Sequence, residues 1–217
     1  MFSSRGQVDI CDIFGETIKN TEDRLKKASP FRNMNTYKIF KLIVKSGEDL
    51  RQEQFATQLI NEFNQIFKLE KVDCWVNPYE ILGTGNNCGI IECVPNSISV
   101  DQLKRRTNSD SLSQFFNKYF NTSPKRYKKA MDNFVKSLAG YSLVCYFLQI
   151  KDRHNANILI DNEGHLIHID FGYLLTNSPG KGMQFESAPF KFTADLVGVL
   201  GGVNSKYFNK FRKLLWK

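Results

Sequence analysis

No stretch of this chain is apolar for long enough to cross a bilayer. The longest, Leu138–Leu148, is broken by Gly140 and Ser142, and it falls well short of the ~20 residues a spanning helix needs. The opening residues, MFSSRGQVDICDIF, carry no apolar run behind their single arginine, so no secretory signal is expected. The five cysteines, Cys11, Cys74, Cys88, Cys93 and Cys145, are odd in number and form no C-x-x-C pair. That excludes the usual zinc spacing and points to a reducing compartment, the cytosol or nucleus. Six prolines and fourteen glycines among 217 residues exclude collagen-like and low-complexity chains. What is present is a globular composition: 41% hydrophobic and 13% aromatic, with eighteen phenylalanines. Disordered chains are poor in such residues, and the length allows one large or two small domains with a real core.

Acid is scarce where base is plentiful. Residues 101–136 hold nine Lys/Arg against three Asp/Glu, and residues 205–217 hold five Lys/Arg and no acid. These two segments exceed the whole net charge of +8. Such patches attract phosphates on lipid headgroups or nucleic acid, or they are simply solvated surface. No nucleic-acid motif accompanies them, so no nucleic-acid partner is expected.

Periodicity predicts the elements. Residues 16–27 read as a helix, stopped by Ser29-Pro30. Tyr37–Lys45 alternates and is β-branched, which predicts a strand. Residues 48–68 place Phe55, Leu59, Phe63, Ile66 and Phe67 at helical spacing, predicting an amphipathic helix. Cys74–Val76, Tyr79–Leu82 and Gly89–Val94 read as short strands, with the glycines and asparagines of 83–87 as a hairpin turn. Residues 101–129, with Ser/Asn clusters at 107–113 and 121–124, read as a short helix plus an exposed insertion. Met131–Ile150 is apolar nearly all round, so it predicts a buried helix. Asn157–Asp161 and His165–Ile169 read as a hairpin about Asn162-Glu163-Gly164. Residues 207–215 predict a last helix with Tyr207, Phe208, Phe211, Leu214 and Leu215 on one face. Strands with one helix precede mostly helices with a hairpin, which suggests two units divided near residues 94–96. GTGNNCG at 83–89 and PGKG at 179–182 evoke phosphate loops but lack their spacing.

All three histidines and three aspartates fall in one segment, KDRHNANILIDNEGHLIHIDFG. Phosphoryl transfer needs hard oxygens for Mg²⁺ and a group to receive the acceptor's proton. Asn157 lies five residues past Asp152, and the hairpin folds Asp170 back beside Asn157. Both oxygens can then reach one metal. Asp152 and His154 are the proton-handling pair, and the imidazole, with its near-neutral titration, is the more fitting direct partner. Arg153 is expected to hold the loop by hydrogen bonds. Protein kinases carry H-R-D with asparagine at the same interval; here the triplet is inverted.

DRHNANILID and HIDFG together resemble the catalytic core of the phosphatidylinositol 3-/4-kinase superfamily. IVKSGEDLRQEQFATQLI resembles its strand, lysine and helix. FESAPFKFT and LAGYSLVCYFLQIKDRHNANIL are similar to the type III phosphatidylinositol 4-kinases, beta form. The likeness runs from about Lys27 to Gly202. It implies an α+β, two-lobed protein-kinase-like fold: residues 1–94 a strand-rich small lobe, 95–217 a helical large lobe whose C-terminal part is missing. It implies ATP and Mg²⁺ as cofactors. Lys45 would meet the α/β-phosphates, with Glu53 the acidic position near it. Tyr79 would line the back of the adenine pocket, with Ile91 as gate and Glu92, Cys93 and Val94 as hinge. Ser29 and Pro30 would belong to the loop over the phosphates.

Between residues 170 and 193 the only bases are Lys181 and Lys191, candidates for the acceptor's headgroup. A ring already bearing phosphates would call for a cluster of bases, so plain phosphatidylinositol is expected. The resemblance selects its 4-hydroxyl. It further implies a cytoplasmic enzyme, peripheral on Golgi-type or other internal membranes and recruited by a small GTPase or adaptor. A protein kinase of the same superfamily shares the D-R-H and D-F-G motifs, but FESAPFKFT argues against it. A truncated, non-catalytic scaffold is the remaining alternative.

Overall fold

The structure, a computed structural model, describes residues 13–176, 186 and 188–217. It is a mixed α/β arrangement built on two small antiparallel sheets. The first comprises β1 (Leu42–Ser46), β2 (Ile81–Gly85) and β3 (Cys88–Glu92), in the order β1-β3-β2. Its register sets Lys45 opposite Gly89 and Leu42 opposite Glu92. The second comprises β4 (Ser97–Ser99), β5 (Ile158–Asp161) and β6 (Leu166–His168), in chain order. The helices are α1 (Ile18–Ala28), α2 (Arg51–Leu69), α3 (Val100–Thr107), α4 (Leu112–Tyr119), α5 (Pro124–Leu148), α6 (Ala194–Leu200) and α7 (Lys206–Leu215).

The central element is α5. Its apolar circumference packs on β6 and α7, and its residues from Ser137 to Ser142 are all buried. Gly140 has a specific reason to be glycine. A Cβ there would meet the Trp75 carbonyl oxygen at 2.5 Å. The segment after α2 runs across this notch, and the Trp75 amide donates to the Lys136 carbonyl at 3.1 Å. Cys74–Val76 is therefore extended chain laid on a helix, not the strand its sequence suggests. The expected strand at 37–45 also begins late, at Leu42, because β3 offers it pairing partners only up to Glu92. The turn read at 83–87 is only Asn86-Asn87, because Gly83, Thr84 and Gly85 continue β2 against β3; the 158–168 hairpin forms as read.

The largest departure lies in residues 101–129. The expected exposed insertion is two helices, α3 and α4, plus the first turns of α5. Leu103, Leu112, Phe115, Phe116 and Phe120 are all buried, and the aromatics pack edge-on against each other and Phe134. The Ser/Asn clusters that suggested loop are caps. Ser99, Ser111 and Ser123 each accept the amide of the residue three further on, which satisfies a donor the helix start leaves open. Asn108 closes α3 in the left-handed conformation. Most of the basic side chains there are already engaged. Lys104 pairs with Asp195 at 2.6 Å, Lys136 with Asp73 at 2.7 Å, and Lys129 with Glu163 at 3.2 Å. Arg105 pairs with Asp101 at 2.8 Å, and Arg106 donates to the Ile13 carbonyl at the same distance. The apolar face of α7 turns inward, with Phe211 and Leu214 buried and Phe192 stacked on Phe211 at 5.0 Å. No helix among the described residues is long and apolar enough to cross a membrane.

Candidate active site

A cleft of about 540 Å³ opens between the two sheets. The first sheet contributes Ile43, Lys45, Ile91 and Glu92, and the chain leaving it contributes Cys93 and Val94. Helix α2 adds Glu53 and the approach to β2 adds Tyr79. Opposite them lie Asn157, Leu159, Ile169 and Asp170. Nine residues singled out in the sequence thus share one space. Ser29 and Pro30 do not line it; they form an exposed turn in which Ser29 Oγ accepts the Phe31 amide at 3.1 Å. Lys191 is half-buried between Phe190 and Phe192 and does not line it either. Lys181 lies outside the described residues. Glu48, Ala156 and Arg105, which sequence reasoning passed over, line the cleft as well.

The hairpin brings the metal candidates together. Ile158 pairs with His168, and one step outward the Ile169 amide donates to the Asn157 carbonyl at 3.1 Å. Asn157 therefore sits across from Ile169 and beside Asp170. Its side-chain nitrogen donates to the Asp152 carbonyl at 3.0 Å, which turns Oδ1 elsewhere as an acceptor. One amide oxygen and one carboxylate are hard donors, and they fit Mg²⁺, which takes few protein ligands and completes its shell with phosphates and water. They would not make a zinc site, and no cluster of three His, Cys, Asp or Glu occurs among the described residues.

The loop holding these groups is strained and clamped. Asp152 and Asp170 both adopt positive φ, at 61°, conformations that persist only when surroundings enforce them. Arg153 is buried, donates to the carbonyls of Lys151 (3.0 Å), Ile169 (2.7 Å) and Asp170, and covers the Phe171 ring. Phe171 is fully buried beneath Tyr79, with ring centroids 6.3 Å apart.

His154 Nδ1 accepts the Ala156 amide at 3.2 Å, so the neutral ring carries its proton on Nε2. Nε2 in turn lies 3.9 Å from an Asp152 carboxylate oxygen. A ring in this tautomer is a donor at Nε2.

Lys45 Nζ is bonded to Glu48, at 3.0 and 3.3 Å, and not to Glu53. That bond, with the charges of Asp170 and Glu53 behind it, holds its ammonium above the usual lysine range. Glu53 instead accepts the Tyr79 hydroxyl at 3.2 Å. Burial first, then the charge of Asp170, pushes the Glu53 carboxyl up. In the connecting segment, the amides of Glu92 and Cys93 are committed to the carbonyls of Glu80 and Lys41. The Val94 carbonyl accepts from Ser97 Oγ at 3.0 Å.

The family described as phosphatidylinositol 3- and 4-kinase matches residues 39–217. A phosphatidylinositol 4-kinase of Dictyostelium discoideum is 47% identical over 203 residues, which is 93% of this chain and 17% of that protein. Phosphatidylinositol 4-kinase beta 1 of Arabidopsis thaliana is 48% identical over 93% of this chain and 18% of its own length. The beta enzyme of Xenopus laevis is 42% identical over 88% of this chain and 24% of its own. The chain thus spans between a sixth and a quarter of the length of these curated relatives.

Proposed function

Because the chain belongs to the phosphatidylinositol 3- and 4-kinase family, we propose that it is the catalytic part of a lipid kinase. It transfers the γ-phosphoryl group of ATP to the inositol 4-hydroxyl of phosphatidylinositol, giving phosphatidylinositol 4-phosphate. The observation that carries this reading is the shared lining of one cleft by Lys45, Asn157 and Asp170. The relatives' names, each a phosphatidylinositol 4-kinase, favour lipid over protein as acceptor. We read the two sheets as the cores of two lobes, residues 1–94 and 95–217, joined at Glu92–Val94.

Adenine would lie between Ile43 and Ile91 on one side and Leu159 and Ile169 on the other, with the Val94 N–H donating to a ring nitrogen. Tyr79 closes the back and Ile91 gates it. The triphosphate draws Lys45 from Glu48. Asn157 Oδ1 and the Asp170 carboxylate would hold Mg²⁺, which would supply positive charge to offset that of the phosphates. Asp152 receives the proton of the inositol hydroxyl while the His154 Nε2–H orients it. The hydroxyl oxygen attacks the γ-phosphorus in line, and the bond to the bridging oxygen of ADP breaks. Lys191 and Lys181 are assigned to the headgroup phosphate. Two such bases suit a ring carrying no further phosphate. The setting we propose is cytoplasmic, peripheral on Golgi-type or other internal membranes, with a small GTPase or adaptor as recruiter.

The test is Asp170→Asn. The variant should keep the parent's thermal midpoint and lose the metal-dependent part of ATP binding, measured by calorimetry with Mg²⁺ and with EDTA. Binding equal to the parent's in both conditions would remove the metal assignment.

A further inference from the structure

Five consecutive carbonyls, Ile169 to Tyr173, each accept a hydrogen bond from outside their own segment. Arg153 takes the first two. The Lys151 amide takes Tyr173 at 3.0 Å. Between them stands a residue of a different element. Gln52, in the first turn of α2, directs Nε2 to the Gly172 carbonyl at 2.6 Å, with a longer contact to Phe171 at 3.5 Å. The two residues are 120 apart in sequence. Gln52 is half-buried, and its neighbour Glu53 turns into the cleft.

We infer that Gln52 is a positioning residue: it straps the Asp170-Phe171-Gly172 turn to α2 and so sets where the Asp170 carboxylate stands relative to Lys45 and Glu53. The inference rests on the proposed role of Asp170 as metal ligand. The physical argument is one of anchoring. Asp170 has positive φ, so its backbone does not hold this shape unaided. Arg153 fixes the turn only to the loop from which Arg153 itself comes. The α2 side, which packs on β2, needs its own ties: the Glu53 carboxylate accepts the Phe171 amide, and Gln52 supplies the one to the Gly172 carbonyl. Gly172 does not need to be small for this contact, since a Cβ there would meet nothing closer than an Asp170 oxygen at 3.6 Å. What matters is the donor arriving at its carbonyl.

A donor requirement separates positioning from packing. Gln52→Met keeps volume and helix propensity but has no donor. Gln52→Glu keeps shape and faces the carbonyls with an acceptor. Gln52→Lys restores a donor. The full chain is titrated with ATP in Mg²⁺ and in EDTA, and its thermal midpoint is recorded. Methionine and glutamate should reduce Mg²⁺-dependent ATP affinity by about tenfold, inside the range a ~1 Å misplacement can cost. Affinity in EDTA and the thermal midpoint should stay at parent values, and lysine should recover most of the loss. Parent-like affinity in the methionine variant, a lysine variant as weak as methionine, or losses that merely follow a falling midpoint would each overturn the strap. Asp170→Asn is run alongside. If it keeps the Mg²⁺-dependent gain, the metal assignment falls and takes this role with it. If only the Gln52 pattern fails, the metal assignment stands and the strap alone is wrong.

Discussion

Glu53 sits among groups that make its charge expensive. Burial raises its carboxyl and Asp170 raises it further, while the Tyr79 hydroxyl, the Phe171 amide and the Lys45 charge offset only part. The unfolded chain therefore gives up this proton at lower pH than the native one. The native state is favoured while the carboxyl is protonated, and that advantage is lost as pH climbs from the ordinary glutamate range through the raised value. Glu53→Gln cannot ionise, so its thermal midpoint relative to the parent should rise as pH climbs upward from the ordinary glutamate range. A difference that stays flat with pH would show that Glu53 is not perturbed. The Asp152–His154 pair gives a second residue-scale test. With the Ala156 amide on Nδ1, Asp152→Asn should lower turnover by roughly 10²–10⁴, the span of a positioned proton acceptor. His154→Ala should cost less, with ATP affinity unchanged in both. A larger loss at His154 would restore the imidazole as acceptor. The residues of this site were legible where chemistry and spacing coincide. Asp152, Asn157 and Asp170 are separated by a loop and a tight hairpin that leave little freedom, so their meeting could be read from the chain. Gln52 and Glu48 could not. One binds a backbone carbonyl 120 residues away. The other reveals itself only as the i+3 partner of Lys45, a spacing common on any surface.

At the scale of elements, the helix α5 and the 158–168 hairpin were evident because their apolar patterns are continuous. The α3–α4 region was not, because its polar residues are concentrated in caps while its aromatics are spaced for a core. Leu112, Phe115, Phe116 and Tyr119 follow the three-and-four interval of one helix face, and that signal outranks local polarity. The same packing makes two glycines critical. A Cβ at Gly140 would press on the Trp75 backbone, and neither a helix nor an extended chain pinned to it by hydrogen bonds can move aside cheaply. Gly140→Ala should destabilise by about 1–3 kcal/mol, the usual cost of overpacking, despite alanine's better helix propensity. Chemical denaturation measures it, and an unchanged or higher midpoint would mean the notch can open. Gly164 is bound twice over: φ is 90°, and a Cβ would stand 2.9 Å from the Ala130 carbonyl oxygen. It is the turn residue that lets the hairpin close and set Asn157 beside Asp170.

At the scale of the molecule, one cleft is lined from the side of both small sheets, and the proposed reaction draws on the two sides together. One side brings the Lys45 cation, an apolar wall and the connecting segment. The other brings two hard oxygens, from Asn157 and Asp170. Helices α2 and α5 bear on them from behind, and Gln52 ties one half to the other. Much of the positive charge that drew attention in the sequence is spent on internal ion pairs with Asp73, Asp101, Asp132, Glu163 and Asp195, so it does not compete with the cleft as the feature that explains the molecule. The central claim is therefore the reaction itself, and one assay bears on it most directly. The purified chain is incubated with γ-labelled ATP, Mg²⁺ and vesicles containing phosphatidylinositol, alongside phosphatidylinositol bisphosphate and a protein substrate, and the lipid product is analysed for ring position. The account predicts label on the 4-position of phosphatidylinositol, abolished by Asp170→Asn. Label on protein and not on lipid, or on a different ring position, would contradict it.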